Sequence, residues 1–206
     1  GNYRLSVAIW DEKEILAYNY HAGLYKFRIL GRSLNNQLFE MEYKWDNLVK
    51  NLSLGYNHIL PLKVLREVWK KVVNYQNSLD IKRVELLNIN DKVEMIFKTN
   101  ETLKVKIYLS NNKLSGCVLW VGVFREDGIY CHGVYKELET DKNEISLIYP
   151  KFLLLNGNYL TSVGVFKLRE KKILVCHHGI YPFKIISDLK DHGTVYCEHR
   201  WKWKLP

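Results

Sequence analysis

Hydrophobic and polar positions alternate along most of this chain, with the two-residue period of strands rather than the 3.6-residue period of helices. In the run 159–166, Tyr159, Thr161, Val163 and Val165 fall on one face, and Leu160, Ser162, Gly164 and Phe166 on the other. Residues 3–10 show the same pattern. Polar turns follow at 11–14 and 167–172. A second strand then runs in each stretch to a His-x-Gly, His21-Ala22-Gly23 and His177-His178-Gly179, where glycine predicts a bulge or a positive φ. Further strands are predicted at 25–30 and 181–186, and after polar loops at 37–45 and 194–203. Between the two stretches the pattern predicts short strands at 81–88, 93–99, 102–110, 118–126, 129–135 and 144–149. Their turns are supplied by Asn90-Asp91, Asn100-Glu101, Asn111-Asn112 and Asp127-Gly128. Asp127-Gly128, between two alternating strands, is the strongest hairpin signal in the chain.

One stretch breaks the period. Pro61 suits the first turn of a helix. After it Leu62, Leu65, Val68, Trp69, Val72 and Val73 recur at spacings of three and four. An amphipathic linker helix is therefore expected over about 61–76, ending near Asn77-Ser78, its apolar face packed on a neighbouring domain.

The two ends of the chain are copies of each other. Residues 1–47 align without a gap on 157–203 at a constant offset of 156 positions. Identities include Gly1 with Gly157, Ser6 with Ser162, His21 with His177, Gly23 with Gly179, Tyr25 with Tyr181, Glu42 with Glu198 and Trp45 with Trp201. The chain thus reads as 1–46, the second half of one β unit; 47–79, a linker carrying the helix; and 80–206, a complete unit. About ten strands in the last unit predict an all-β fold, an antiparallel β-sandwich of immunoglobulin-like or jelly-roll type.

Composition is consistent with a sizeable core: 47% of residues are hydrophobic and 13% aromatic. The net charge of +9 permits an anionic partner, but Lys and Arg are scattered, so the expectation is a solvated basic surface and no nucleic-acid partner. Cys117, Cys131, Cys176 and Cys197 contain no CxxC pair and lie in apolar runs, as reduced buried thiols do. Thiols beside imidazoles raise a zinc reading, but Cys176 and Cys197 face Tyr20 and Met41 in the repeat, so no metal and no cofactor is expected.

Three motifs in order point to a family: Val121-Gly122-Val123-Phe124-Arg125-Glu126-Asp127-Gly128-Ile129-Tyr130-Cys131-His132-Gly133, then Leu155-x-Gly157-x-Tyr159-x-x-Ser162-Val163-Gly164-Val165, then His199-x-Trp201. Together they resemble the C-terminal domain of Wzt, the nucleotide-binding subunit of ABC transporters that export O-antigen polysaccharide. The resemblance spans 80–206, with 1–46 similar to the last half of a further copy. It implies an immunoglobulin-like sandwich that binds the terminus of a finished glycan on the cytoplasmic side, at the inner membrane through the transporter's membrane subunit. It also implies a homodimer in which C-terminal strands, here 194–203, are exchanged. The chain departs from the family in having no GxxxxGK[ST] phosphate loop, so a non-catalytic fragment of a longer protein with tandem carbohydrate-binding domains is expected. The alternative is a dimerisation or partner-docking module that binds no glycan.

A glycan site needs an aromatic face for the sugar ring and planar polar groups for its hydroxyls. The hairpin offers Trp120, Arg125, Asp127, Tyr130 and His132, and the repeat strands offer His178 and His199. His177, Tyr181, Glu198 and Trp201 have identical partners in the first copy and are read as fold residues. His178 and His199 differ from their partners, Ala22 and Tyr43, and so are candidates to tune ligand choice. Neither a nucleophile elbow, HExxH nor a clear triad occurs.

Overall fold

The structure is a computed structural model that describes residues 2–10, 17–28, 44–45, 70–75, 79–110, 116–138, 143–167, 170 and 172–199. In the first three of these stretches only the side chains of Leu5 and residues 24–27 are described. The described residues form β1 (Asn2–Trp10), β2 (Ala17–Arg28), β3 (Lys44–Trp45), β4 (Lys71–Asn74), β5 (Ile81–Leu87) and β6 (Ile96–Lys98). The series continues with β7 (Leu103–Leu109), β8 (Cys117–Arg125), β9 (Tyr130–Glu137), β10 (Glu144–Tyr149), β11 (Gly157–Lys167) and β12 (Lys172–Ile186). The chain divides into two compact units, Gly1–Leu34 and Asn35–Pro206.

In the second unit, one sheet runs β3-β10-β7-β5 and the other β4-β12-β11-β8-β9, with β6 joined to β12 in parallel. Their apolar faces meet in a single core. Leu103, Val105, Ile107 and Leu109 come from β7, Leu119, Val121 and Val123 from β8, and Tyr159, Val163 and Val165 from β11. This is the predicted antiparallel β-sandwich, and of the two faces that the alternation separates on β11, the one with Tyr159, Val163 and Val165 points inward. A smaller cluster lies on the outward face of the larger sheet, where Trp120, Phe124, Phe166 and Cys176 are buried against Val73, Tyr130, Tyr135 and Ile173.

The first unit is the β1–β2 hairpin, and its pairing repeats that of β11–β12 residue for residue. Tyr3 faces Phe27 and Val7 faces His21, as Tyr159 faces Phe183 and Val163 faces His177. Both hairpins slip register at equivalent places, between Leu5 and Val7 and between Thr161 and Val163. Their surroundings differ: Phe27 is 47% exposed, and its counterpart Phe183 only 4%.

Several sequence expectations are corrected. The linker helix over 61–76 does not extend through its last turn. Lys70 has φ 55°, and Lys71–Asn74 form an edge strand on β12, while 61–69 lie outside the described residues. Val72 is 55% exposed and Val73 packs inward on the outer cluster, so the two neighbours alternate as in a strand. The strands predicted on either side of each His-x-Gly are one continuous strand, β2 or β12, because glycine supplies a bulge rather than a stop; Gly179 has φ 64°. The strand expected at 194–203 reduces, within the described residues, to one bridge between Val195 and Leu154. Residues 196–199 continue without strand pairing, and 200–203, like nearly all of the strand expected at 37–45, lie outside the described residues. Of the four thiols, Cys117, Cys131 and Cys176 are buried as expected, but Cys197 is exposed.

The turns are as read. Asp91 (φ 60°), Asn100 (φ 69°) and Gly128 (φ 88°) adopt left-handed backbone in three of the four predicted turns, and the fourth lies outside the described residues.

Candidate functional site

The β8–β9 hairpin carries at its tip a cluster of exposed, mutually bonded polar side chains. The tip is set by Gly128, whose N–H donates to the Arg125 carbonyl at 2.9 Å, and by Arg125 N–H donating to the Ile129 carbonyl at 2.8 Å. Arg125 then lies along the turn. Its Nε donates to both Asp127 carboxylate oxygens at 3.0 Å, and Nη2 donates to Oδ2 at 2.5 Å. Nη1 reaches across to Thr194 Oγ1 at 3.1 Å, fastening the 192–196 loop to the hairpin. Next to this pair, Asn158 Nδ2 donates to Glu126 Oε2 at 3.0 Å, and Glu126 N–H donates to the Asn158 carbonyl at 3.0 Å. The hydrogen bond from Arg125 holds the Asp127 carboxyl below the usual carboxylate range, and the same bond raises the guanidinium above its own. Arg125 and Asp127 stay 36% and 51% exposed, so they are available to a ligand.

Three more of the predicted residues gather on the outward face of the larger sheet, directly below this tip. Phe124 and Tyr130 pair across the hairpin, with ring centroids 4.8 Å apart. Trp120 Nε1 donates to the Tyr130 hydroxyl at 3.3 Å. The His178 ring stands edge-on to Phe124 at 4.8 Å and against Trp120 at 5.9 Å. These rings lie on a floor of small residues. Ser162, Gly122 and Gly133 are adjacent across β11, β8 and β9, and a Cβ at Gly122 would overlap the Trp120 indole, as one at Gly133 would overlap the Tyr130 hydroxyl. Trp120 is wholly buried and His178 is 1% exposed, so these two support the site from beneath rather than meeting a ligand directly.

The remaining predictions separate. His132 points into the main core, where its ring contacts Tyr149 at 5.5 Å, and it is wholly buried. Its position opposite Val123 on the inward face of the sheet excludes it from the hairpin surface. His199 is exposed on the C-terminal segment, with Nδ1 3.1 Å from the Cys197 carbonyl. Sequence comparison missed Asn158 and Thr194. Asn158 has an identical partner, Asn2, and its backbone and side chain tie β11 to the hairpin. Thr194 stands opposite Leu38 in the repeat and so carried the same signal of difference that selected His178 and His199.

The bulge in β12 explains why Ser162, His177 and Gly179 occur in both copies. Ser162 Oγ accepts from Gly179 N–H at 2.8 Å and hydrogen-bonds His178 Nδ1 at 2.7 Å. The bulge turns His177 inward and His178 outward. Inside, His177 Nδ1 lies 2.5 Å from the Tyr181 hydroxyl, and Nε2 lies 4.0 Å from Asp80. Burial lowers His177 below its ordinary value, with Asp80 opposing, and burial pushes Tyr181 up to about 12. Burial also pushes the Cys131 and Cys176 thiols up to about 11 and about 12, which makes them poor nucleophiles at neutral pH.

Comparison with protein-family models finds no match, and comparison with curated protein sequences finds none. Among solved structures, the chain is similar to one described as the crystal structure of the C-terminal domain of wzt, at 10% sequence identity and a TM-score of 0.55. The match covers 65% of this chain and 87% of that one. The fold of the second unit is therefore of the kind found in the C-terminal domain of Wzt.

Proposed function

We propose that the protein is a non-catalytic carbohydrate-binding module that recognises the terminus of a cell-surface polysaccharide, of O-antigen type, for export by an ABC transporter. The observation that carries this reading is the Arg125–Asp127–Thr194 cluster: exposed planar donors and acceptors, fixed at one end of a Wzt-like sandwich. Hydroxyl groups are matched by such pairs because an Arg and a carboxylate already bonded to each other keep further donors and lone pairs for the ligand. Tyr130, Trp120 and His178 hold the hairpin from below, Arg125 and Asp127 make the contacts, and His199 stands on the adjoining C-terminal segment. The resemblance to the Wzt domain further supports a cytoplasmic setting at the transporter's membrane subunit, a homodimer through exchanged strands at 194–203, and a chain that does not itself hydrolyse ATP. In the same reading, 1–46 are in sequence the C-terminal half of a first copy, whose Lys44–Trp45 pairs with β10, and 80–206 are a complete second copy.

Titration calorimetry of the chain against lipid-free polysaccharide chains and their end-trimmed forms tests this. Saturable binding that needs the intact terminus, falling at least tenfold in Arg125→Ala and Asp127→Ala, is the expected result. An absence of binding to any terminal structure by a stable dimer would leave the docking-module reading instead.

A further inference from the structure

The outward face of the smaller sheet carries a second set of sugar-type groups, remote in sequence from the hairpin. Alternation along β7 sends Lys104, Lys106 and Tyr108 outward while Leu103, Val105, Ile107 and Leu109 fill the core. Register then builds two rows across three strands. Tyr108 lies between Arg83 of β5 and Glu144 of β10, and Lys106 lies between Glu85 and Ser146. The guanidinium carbon of Arg83 sits 4.1 Å from the centre of the Tyr108 ring, and its Nε is 3.3 Å from Glu85 Oε1. The Tyr108 hydroxyl donates to Glu85 Oε2 at 3.2 Å, and Lys106 Nζ pairs with Glu144 Oε1 at 2.7 Å.

Arg83 is the unusual member. Its plane is fixed by the tyrosine ring and by Glu85, yet its side chain is 59% exposed. Among the described residues neither Nη1 nor Nη2 has a hydrogen-bond partner, so both ends of the fork stay open. An arginine that only stabilised this face by ion pairing would turn those ends toward a carboxylate. The charges of the two rows balance, Arg83 and Lys106 against Glu85 and Glu144, so the face has no net attraction for an acid. A fixed donor fork beside exposed acceptors matches a pair of neighbouring hydroxyls instead.

We propose that this face binds a neutral glycan through a vicinal diol, with Arg83 donating to the two adjacent hydroxyl oxygens and Glu144, 52% exposed, accepting from a hydroxyl of the next residue. The backbones of Arg83 and Glu144 are two strand spacings apart, about 9–10 Å, a separation on the scale of a disaccharide. The face therefore takes the body of the chain. The inference rests on the glycan-binding reading and adds a second surface to it.

The test is titration of the whole chain with neutral hexose and deoxyhexose oligosaccharides, their periodate-cleaved forms, which have lost the diol, and their uronate and phosphate counterparts. Wild type is expected to bind the intact neutral oligosaccharides with little change between low and high salt. Periodate cleavage, Arg83→Ala and Arg83→Lys should each weaken binding at least tenfold, the lysine variant keeping the charge and the melting temperature but not the planar fork. Arg83→Lys binding as well as wild type, or a salt-sensitive preference for the acidic sugars, overturns the proposal. Loss in Arg125→Ala with none in either Arg83 variant overturns it while leaving the hairpin site standing. No binding of any oligosaccharide by wild type overturns both.

Discussion

Trp120 owes its place to residues that have almost no side chain. The indole lies flat because Gly122 and Gly133, paired across the hairpin, leave the sheet bare beneath it. Gly122→Ala should destabilise the fold by about 1–3 kcal/mol through overpacking, and Trp120→Ala by about 3–5 kcal/mol through the cavity it opens. Urea unfolding followed by Trp fluorescence and circular dichroism measures both. His177 gives the residue scale a pH dependence. Because burial lowers its folded pKa below the ordinary 6.5, the unfolded chain binds the proton more readily. Its contribution to stability is therefore fully present above about pH 6.5 and is lost as pH falls toward the lower folded value. Melting temperature should decline from pH 7 to pH 5, and His177→Gln should flatten that decline.

At the scale of elements, the β12 bulge shows what the sequence carried and what it hid. The glycine of His-x-Gly was legible as a bulge, and the two hairpins share it to the residue. That the strand continues through it was not legible, since the pairing that carries β12 past Gly179 comes from β11 and, from far away in sequence, from β6. Ser162 is the closing piece. Ser162→Ala leaves the Gly179 N–H without its acceptor and should cost about 1–3 kcal/mol. Amide hydrogen exchange at Gly179 should rise more than at its neighbours along β12; equal rises along the strand would point to general loosening instead. The misread last turn of the expected linker helix has a related cause. Spacings of three and four among Leu62, Leu65, Val68, Trp69, Val72 and Val73 fit a helix, but Val72 and Val73 are adjacent. The pairing demand of the β12 edge outweighs local periodicity there. At the hairpin, Asp127-Gly128 gave the turn directly. The register shift between Val123 and Phe124, which sends Tyr130 outward although it stands two residues from inward His132, is announced by no local pattern.

For the molecule as a whole, alternation and the repeat were enough to find the sandwich, and register decides what its surfaces present. The larger sheet hides its aromatic groups on both faces, whereas the smaller one leaves Arg83 and Glu144 to solvent. Net charge of +9 plays little part in either surface, where acids and bases are paired. Glycan binding is accordingly expected to be insensitive to salt. A nucleic acid would instead be released steeply as salt rises, which filter binding across a salt series distinguishes.

The parallel pairing of β6 with β12 has a consequence for synthesis. Ile96 must find Lys184, and β4 must find β12 from farther still, so the two sheets have no complete partner until the last hairpin has been made. The β1–β2 hairpin needs only its own turn and forms early. The second unit is expected to fold in a single late step once β12 has emerged from the ribosome, at the slower end of the range for small domains. Stalled nascent chains ending before 172 should remain protease-sensitive throughout 80–156, and chains extended past 186 should become protected together.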